Sequence, residues 1–169
     1  MCGGNTLETA IAGIKFLNAV TVKSGFPIKL TVGLTYRCQS RCNYCDIWKR
    51  YQDSPSRVND EAGAGLILRT LEYLRNSLIW IDFTGGEPFL RDDVVKIAGF
   101  AAASTGVTTI SITSNGLDPK LILEKTTEIL TKIRKKRLVI GVSIDGDRET
   151  YSKSRGLMDL IQRSKLFWN

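Results

Sequence analysis

Three cysteines fall within one short run, Cys38-Gln39-Ser40-Arg41-Cys42-Asn43-Tyr44-Cys45. Thiolates spaced this closely either converge on a metal or cluster, or repel one another and oxidise. A closed structural zinc site takes four Cys or His ligands. The chain has no histidine, and its fourth cysteine, Cys2, lies at the N-terminus. The run also differs from the bacterial ferredoxin spacing, which ends in Cys-Pro. Three thiolates leave one coordination position open, and an open position signals chemistry rather than scaffolding.

Three further loops carry candidate groups. Thr84-Gly85-Gly86-Glu87-Pro88 follows an apolar run. Two glycines let a backbone adopt positive φ and approach a ligand closely, and they equally make a tight strand-to-helix turn. A carboxylate beside them, Glu87, can pair with a ligand ammonium. Ser114-Asn115-Gly116 reads either as a turn, for which Asn-Gly is a common dipeptide, or as a ligand contact through Ser114 or Asn115. Ser143 and Asp145 close a fourth loop where a ribose hydroxyl could bind; there Asp145-Gly146 also reads as a plain turn. The basic run Lys132 to Arg137 reads as a solvated helix end complementing the helix dipole. No aromatic residues interleave it, so single-strand nucleic-acid stacking is not expected.

These loops need a scaffold, and the pattern supplies one. Ile28 to Thr35 alternates Ile28, Leu30, Val32 and Leu34 as a strand, and the cysteine run follows at its end. Helical spacing from about Asn59 to Arg75 places Ile67, Leu71 and Leu74 on one face. Leu78 to Phe83 is a nearly continuous apolar strand broken by Asp82, as in parallel sheets buried on both faces. Val94, Ile97, Ala98 and Ala101 line a third helix after Arg91-Asp92-Asp93. Val107 to Thr113 is the next strand, Asp118-Pro119 opens a helix with Ile122, Ile129 and Ile133 inside, and Leu138 to Ile144 is the fourth strand. Ahead of all this, Thr6 to Asn18 carries Leu7, Ala10, Ile11, Ile14 and Leu17 at helical spacing with one buried face expected, and Gly25-Phe26-Pro27 ends that segment. Strand and helix alternate, so the fold class is α/β with a parallel sheet and right-handed crossovers. Residues 1–27 form an N-terminal helix and linker, and residues 28–169 the core.

The spacing C-x3-C-x2-C, with Tyr44 before the last cysteine, resembles the cluster loop of the radical S-adenosylmethionine (radical SAM) superfamily. Gly85-Gly86-Glu87-Pro88, one βα unit later, resembles its GGEP motif. The resemblance implies a [4Fe-4S] cluster with three irons held by Cys38, Cys42 and Cys45, and a fourth chelated by S-adenosyl-L-methionine. Gly85, Gly86 and Glu87 would hold the methionine end. Tyr44 would lie near the adenine or pack beneath the loop. The Ser114-Asn115-Gly116 loop resembles the family's T-N-G turn. The segment Val142 to Gly156, with Asp145 and Arg155, resembles members that modify peptides or make cofactors. The implied reaction is one-electron cleavage to methionine and a 5′-deoxyadenosyl radical, which abstracts hydrogen from a substrate.

The family's fold is a six-unit partial (βα) barrel, and this chain supplies four parallel βα units behind an N-terminal helix. The last two strands and any C-terminal cysteine-rich extension are missing from it, which puts independent activity in doubt. Expected partners are a reductant such as a ferredoxin or flavodoxin, a peptide or small-molecule cofactor precursor as substrate, and a partner chain completing the barrel. An inactive or split-gene fragment that binds a cluster without catalysis is the alternative, and a structural zinc or electron-transfer module is disfavoured.

Composition narrows the field further. Hydrophobic residues at 43% and charged residues at 24% are ordinary for a globular protein. The net charge of +7 suits nucleic acid, an acidic substrate or compensation of an anionic cluster. No apolar run approaches the roughly 20 residues that span a bilayer, so no membrane association is expected. Clustered cysteines without an export signal fit a reducing cytoplasm.

Overall fold

A computed structural model describes residues 6–21, 26–52, 54–133 and 136–156. Among them are four strands, β1 (Lys29–Thr35), β2 (Trp80–Gly85), β3 (Thr109–Ser114) and β4 (Arg137–Val142), all parallel in the order β1-β2-β3-β4. The helices are α1 (Thr6–Thr21), α2 (Lys49–Gln52), α3 (Ala64–Tyr73), α4 (Val94–Ser104), α5 (Pro119–Lys132) and α6 (Arg148–Arg155), with 3-10 turns at Pro55–Asp60 and Pro88–Leu90. The fold is therefore α/β, four parallel βα units behind an N-terminal helix.

Alternation along the strands builds the core. Leu34, Ile81, Phe83, Ile110 and Ile112 join Ile67 and Leu71 of α3, Ile97, Ala98 and Ala101 of α4, and Ile129 of α5 in one buried cluster. Leu30, Val32, Leu138 and Ile140 pack on its margin. Full burial of a side chain the size of Phe83 or Ile97 contributes roughly 1.5–3 kcal/mol. Asp118 caps α5 as its sequence implies, its carboxylate accepting from Leu121 N–H at 3.1 Å.

The opposite sheet face is largely polar, with Trp80 and Val139 as exposed apolar side chains on it. Thr31, Asp82, Ser111 and Val139 share one row of the register. Trp80 Nε1 donates to Ser111 Oγ at 2.8 Å, and Ser111 Oγ donates to Asp82 Oδ1 at 2.5 Å. Lys29 Nζ sits 4.1 Å from the Trp80 ring centroid. The expectation that β2 is buried on both faces is thus corrected, because Asp82 and Trp80 occupy the second face.

Other boundaries differ from expectation for identifiable reasons. The helix expected from about Asn59 begins at Ala64. Glu61 is instead drawn towards β1 as an acceptor for Thr35 Oγ1 and Tyr36 N–H at 2.6 and 2.7 Å, and Gly63 and Gly65 weaken the first turns. α1 extends to Thr21, yet Ile11, Ile14, Phe16 and Leu17 are not buried, with Ile14 58% and Leu17 60% exposed. β4 ends at Val142, so Ser143 starts the loop. Cys2, the Arg134-Lys135 part of the basic run and residues 157–169 lie outside the described residues. No described helix is long and apolar enough to cross a membrane.

Candidate functional site

The C-terminal ends of all four strands open onto one cavity of about 310 Å³. It is lined by Cys38, Cys42, Tyr44, Cys45, Gly85, Gly86, Ser114, Asn115, Ser143, Asp145 and Arg155, among others. Every residue singled out from the sequence for this site is there except Glu87.

The three cysteines are free thiols. Each lines the cavity, and two have a polar neighbour at sulfur. Ser40 Oγ lies 3.1 Å from Cys42 Sγ. Asn115 Nδ2 lies 3.5 Å from Cys38 Sγ and donates to Gln39 Oε1 at 3.0 Å. Burial pushes the Cys38 thiol up, against hydrogen bonds from Ser40 N–H and Asn115 that favour the thiolate. The loop between the thiols is wound tightly: Cys45 N–H and Trp48 Nε1 both donate to the Cys42 carbonyl, at 3.3 and 3.1 Å. Among the described residues no three His, Cys, Asp or Glu side chains converge on a single metal-ion position.

The glycine pair serves the chain's own packing. Gly86 N–H donates to Thr35 O and Glu87 N–H to Arg37 O, both at 2.7 Å. A Cβ on Gly85, whose φ is +136°, would stand 2.4 Å from Thr35 O, and one on Gly86 would stand 2.2 Å from Arg37 O. Only glycine permits that contact, which lays the end of β2 along the entry to the cysteine loop.

Glu87 lies behind this turn, 1% exposed. Its Oε2 accepts from Ser114 Oγ at 2.9 Å and Asn115 N–H at 2.8 Å, and its Oε1 accepts from Phe89 N–H at 3.2 Å. Burial holds its carboxyl above the usual range, against those three hydrogen bonds. The carboxylate therefore braces the ends of β2 and β3 together.

The fourth wall comes from beyond β4. Tyr44 OH and Arg155 Nε each donate to Asp145 Oδ2 at 2.6 Å. Arg155 Nη2 donates to Ser143 O at 3.1 Å. Burial pushes Asp145 up, but hydrogen bonds from Tyr44 and Arg155 outweigh it and leave the carboxyl below its ordinary range. Sequence reasoning noted Arg155 without placing it in the site and missed Tyr151, whose OH donates to Asn115 O at 2.9 Å. A signal for α6 was present in its caps. Asp147 accepts from Thr150 N–H at 2.9 Å, and Gly156 takes the left-handed conformation at φ 63°.

Comparison with known proteins gives consistent answers. The family model described as "Radical SAM superfamily" matches residues 32–163. The molybdenum cofactor biosynthesis protein moc-5 of Caenorhabditis elegans is 30% identical over 128 residues, covering 73% of this chain and 20% of that protein. Fe-coproporphyrin III synthase of Methanosarcina barkeri is 27% identical over 124 residues, covering 73% of this chain and 29% of that protein. The chain thus spans less than a third of the length of either relative. The crystal structure of Streptococcus suis SuiB superposes with a TM-score of 0.58 at 22% identity, over 82% of this chain and 28% of that one. That likeness concerns the fold.

Proposed function

The chain belongs to the radical SAM superfamily, and from that premise we propose that it is an enzyme core that binds a [4Fe-4S] cluster and S-adenosyl-L-methionine for hydrogen abstraction from a substrate. The observation that carries this reading is the meeting of all three thiols with the Gly85-Gly86 backbone and Asp145 around one cavity. The donor set fits the cluster in kind: three soft thiolates lining one cavity, with polar groups at two of the sulfurs. When bound, the pair supplies reductive cleavage of the sulfonium to a 5′-deoxyadenosyl radical.

The chain's own residues then have distinct tasks. Cys38, Cys42 and Cys45 would hold three irons. Asn115 and Ser40 orient the Cys38 and Cys42 sulfurs through the contacts already described. Gly85 and Gly86 give the methionine end a wall of bare backbone, and Glu87 holds that wall in register with β3. Ser114, Asn115, Ser143 and Tyr44 border the space left for the nucleoside. Arg155, 5% exposed, stands in the cavity wall paired with Asp145 and holds that carboxylate and the Ser143 carbonyl in place.

An external one-electron donor such as a ferredoxin or flavodoxin would feed the site. One relative is named for molybdenum cofactor biosynthesis and another for making Fe-coproporphyrin III, which supports a small-molecule precursor over a peptide as substrate. The test is anaerobic reconstitution with iron and sulfide, then dithionite and S-adenosyl-L-methionine. A brown protein with a broad visible band that releases 5′-deoxyadenosine is expected; failure to take up iron stoichiometrically would overturn the cluster assignment. Uptake without 5′-deoxyadenosine would leave a cluster-binding core without catalysis.

A further inference from the structure

The cysteine loop leaves β1 at one edge of the sheet, whereas α6 follows β4 at the other. Three inter-strand spacings separate those edges, about 14 Å. The eight residues of α6 are about 12 Å long, so the helix reaches back across the strand ends and its last turn meets the loop. Arg41 N–H donates to Arg155 O and Asn43 N–H to Ser154 O, both at 3.0 Å. Gly156 lies against the same segment, where a Cβ would stand 2.6 Å from Arg41 O.

We propose that Tyr44, Asp145 and Arg155 are positioning residues that clamp the cysteine loop onto α6, with Asp145 Oδ2 as the junction, and so set the places of the thiols before any cofactor is present. Two donors meet on that one oxygen, the Tyr44 hydroxyl from the loop and Arg155 Nε from the helix. Tyr44 is 62% exposed, so its hydroxyl, not burial, fixes its position. The Arg155 side chain is only 6% exposed and Asp145 is its ion-pair partner. Without that carboxylate a buried cation would lack its counter-charge. Arg155 also sits 5.2 Å from the Tyr151 ring, and Tyr151 OH reaches the Asn115 carbonyl. Asn115 in turn reaches Cys38. The loop is therefore held at its Cys38 end through β3 and at its Arg41-to-Tyr44 end through α6. The consequence for cofactor binding rests on the proposed cluster reading, but the clamp itself belongs to the apoprotein.

The experiment uses the full chain, reduced and free of metal. Iodoacetamide labelling is followed cysteine by cysteine by mass spectrometry, with Cys2 as the internal reference and Lys153→Ala on the exposed side of α6 as a control. Tyr44→Phe keeps the ring and removes only the hydroxyl. It is expected to label Cys45 roughly tenfold faster, the scale of one lost hydrogen bond to a charged group, with its melting temperature lowered by no more than a few degrees. Asp145→Asn should do the same, and the double variant should label no faster than the faster single one, because both changes break one junction. Unchanged labelling in Tyr44→Phe, or fully additive effects in the double variant, would overturn the clamp. Tyr44→Phe decides alone if Asp145→Asn does not fold. Failure of the chain to take up iron would not alter these rates, so the two readings fail separately.

Discussion

A side-chain carbon on Gly86 would stand 2.2 Å from the carbonyl oxygen of Arg37, one residue before the first cysteine of the site. The glycine is thus part of how the cysteine loop is held, whatever ligand it meets on its other side. The neighbour is backbone, which cannot swing aside as a flexible side chain would. A methyl group there has to push β2's terminal turn away from the loop, lengthening the paired 2.7 Å hydrogen bonds of Gly86 and Glu87.

Gly86→Ala is therefore expected to destabilise the fold by roughly 1–3 kcal/mol, the range for overpacking a tight interior contact, and to lower iron uptake. Gly33→Ala is the comparison, since a Cβ there meets nothing within 4 Å. It should be neutral or stabilising by up to about 1 kcal/mol. Urea midpoints of the two variants check this, and equal midpoints would remove the steric explanation.

Replacing Cys38, Cys42 or Cys45 singly by Ala should abolish a stable four-iron cluster, while Cys2→Ala should not. All three residues line the one cavity, and a cluster held by two thiolates would lose iron on desalting. Iron-to-protein ratios after reconstitution decide the matter. A loss in Cys2→Ala as large as in the other three would show that the ligand set has been misassigned.

Two carboxylates in the site should respond to pH with opposite sign. Burial raises the Glu87 carboxyl above its unfolded value of about 4.3. The native state then binds the proton more tightly, so this group's contribution to stability falls as pH rises from about 4.3 through its folded value. Asp145 is held low, with burial outweighed by the Tyr44 and Arg155 hydrogen bonds. Its contribution is complete above about pH 4 and fades as pH falls through its folded value. Hence the stability gap between the native chain and Glu87→Gln should shrink from pH 4 to pH 7. The gap to Asp145→Asn should hold near neutrality and close in acid. Denaturant midpoints across that range test both, and a Glu87 gap that widens with rising pH would contradict the burial argument.

The strands and the cysteine loop were legible in the sequence because their signals are local. Alternation in Ile28 to Leu34 needs no knowledge of a partner, and the C-x3-C-x2-C spacing is a property of one loop. The placement of Glu87 was not legible. Its side chain is committed to Ser114 and Asn115, groups one βα unit away that only the parallel register brings alongside. The role of the glycine pair was half legible for the same reason: the need for a small residue shows, but not the Arg37 carbonyl that imposes it. α6 lacked an apolar stripe, so its caps at Asp147 and Gly156 were the only cue. For α1 the converse holds. Its periodicity signals a face that seeks cover, and nothing in a period says what covers it.

β1 and β4 each pair on one side only in the described sheet, which leaves two open edges. Lys29 and Arg137 open those strands, and charges of that kind discourage edge-to-edge pairing. The open sheet face is less apolar, because Thr31, Asp82 and Ser111 separate its exposed Trp80 and Val139, while Leu138 and Ile140 pack on the core margin. Among the described residues, α1 carries a run of exposed apolar side chains at Ile11, Ile14, Phe16 and Leu17. A cluster of this sort favours self-association. The isolated chain should accordingly form concentration-dependent oligomers, and a variant carrying both Ile14→Lys and Leu17→Lys should run as a monomer with an unchanged far-UV spectrum. Light scattering on both proteins across roughly a hundred-fold range of concentration, over which mass action shifts a weak dimer, gives the answer. Oligomers that persist in the lysine variant would shift the cause to the strand edges, and a native chain that is monomeric throughout would show that neither surface is sticky enough to matter.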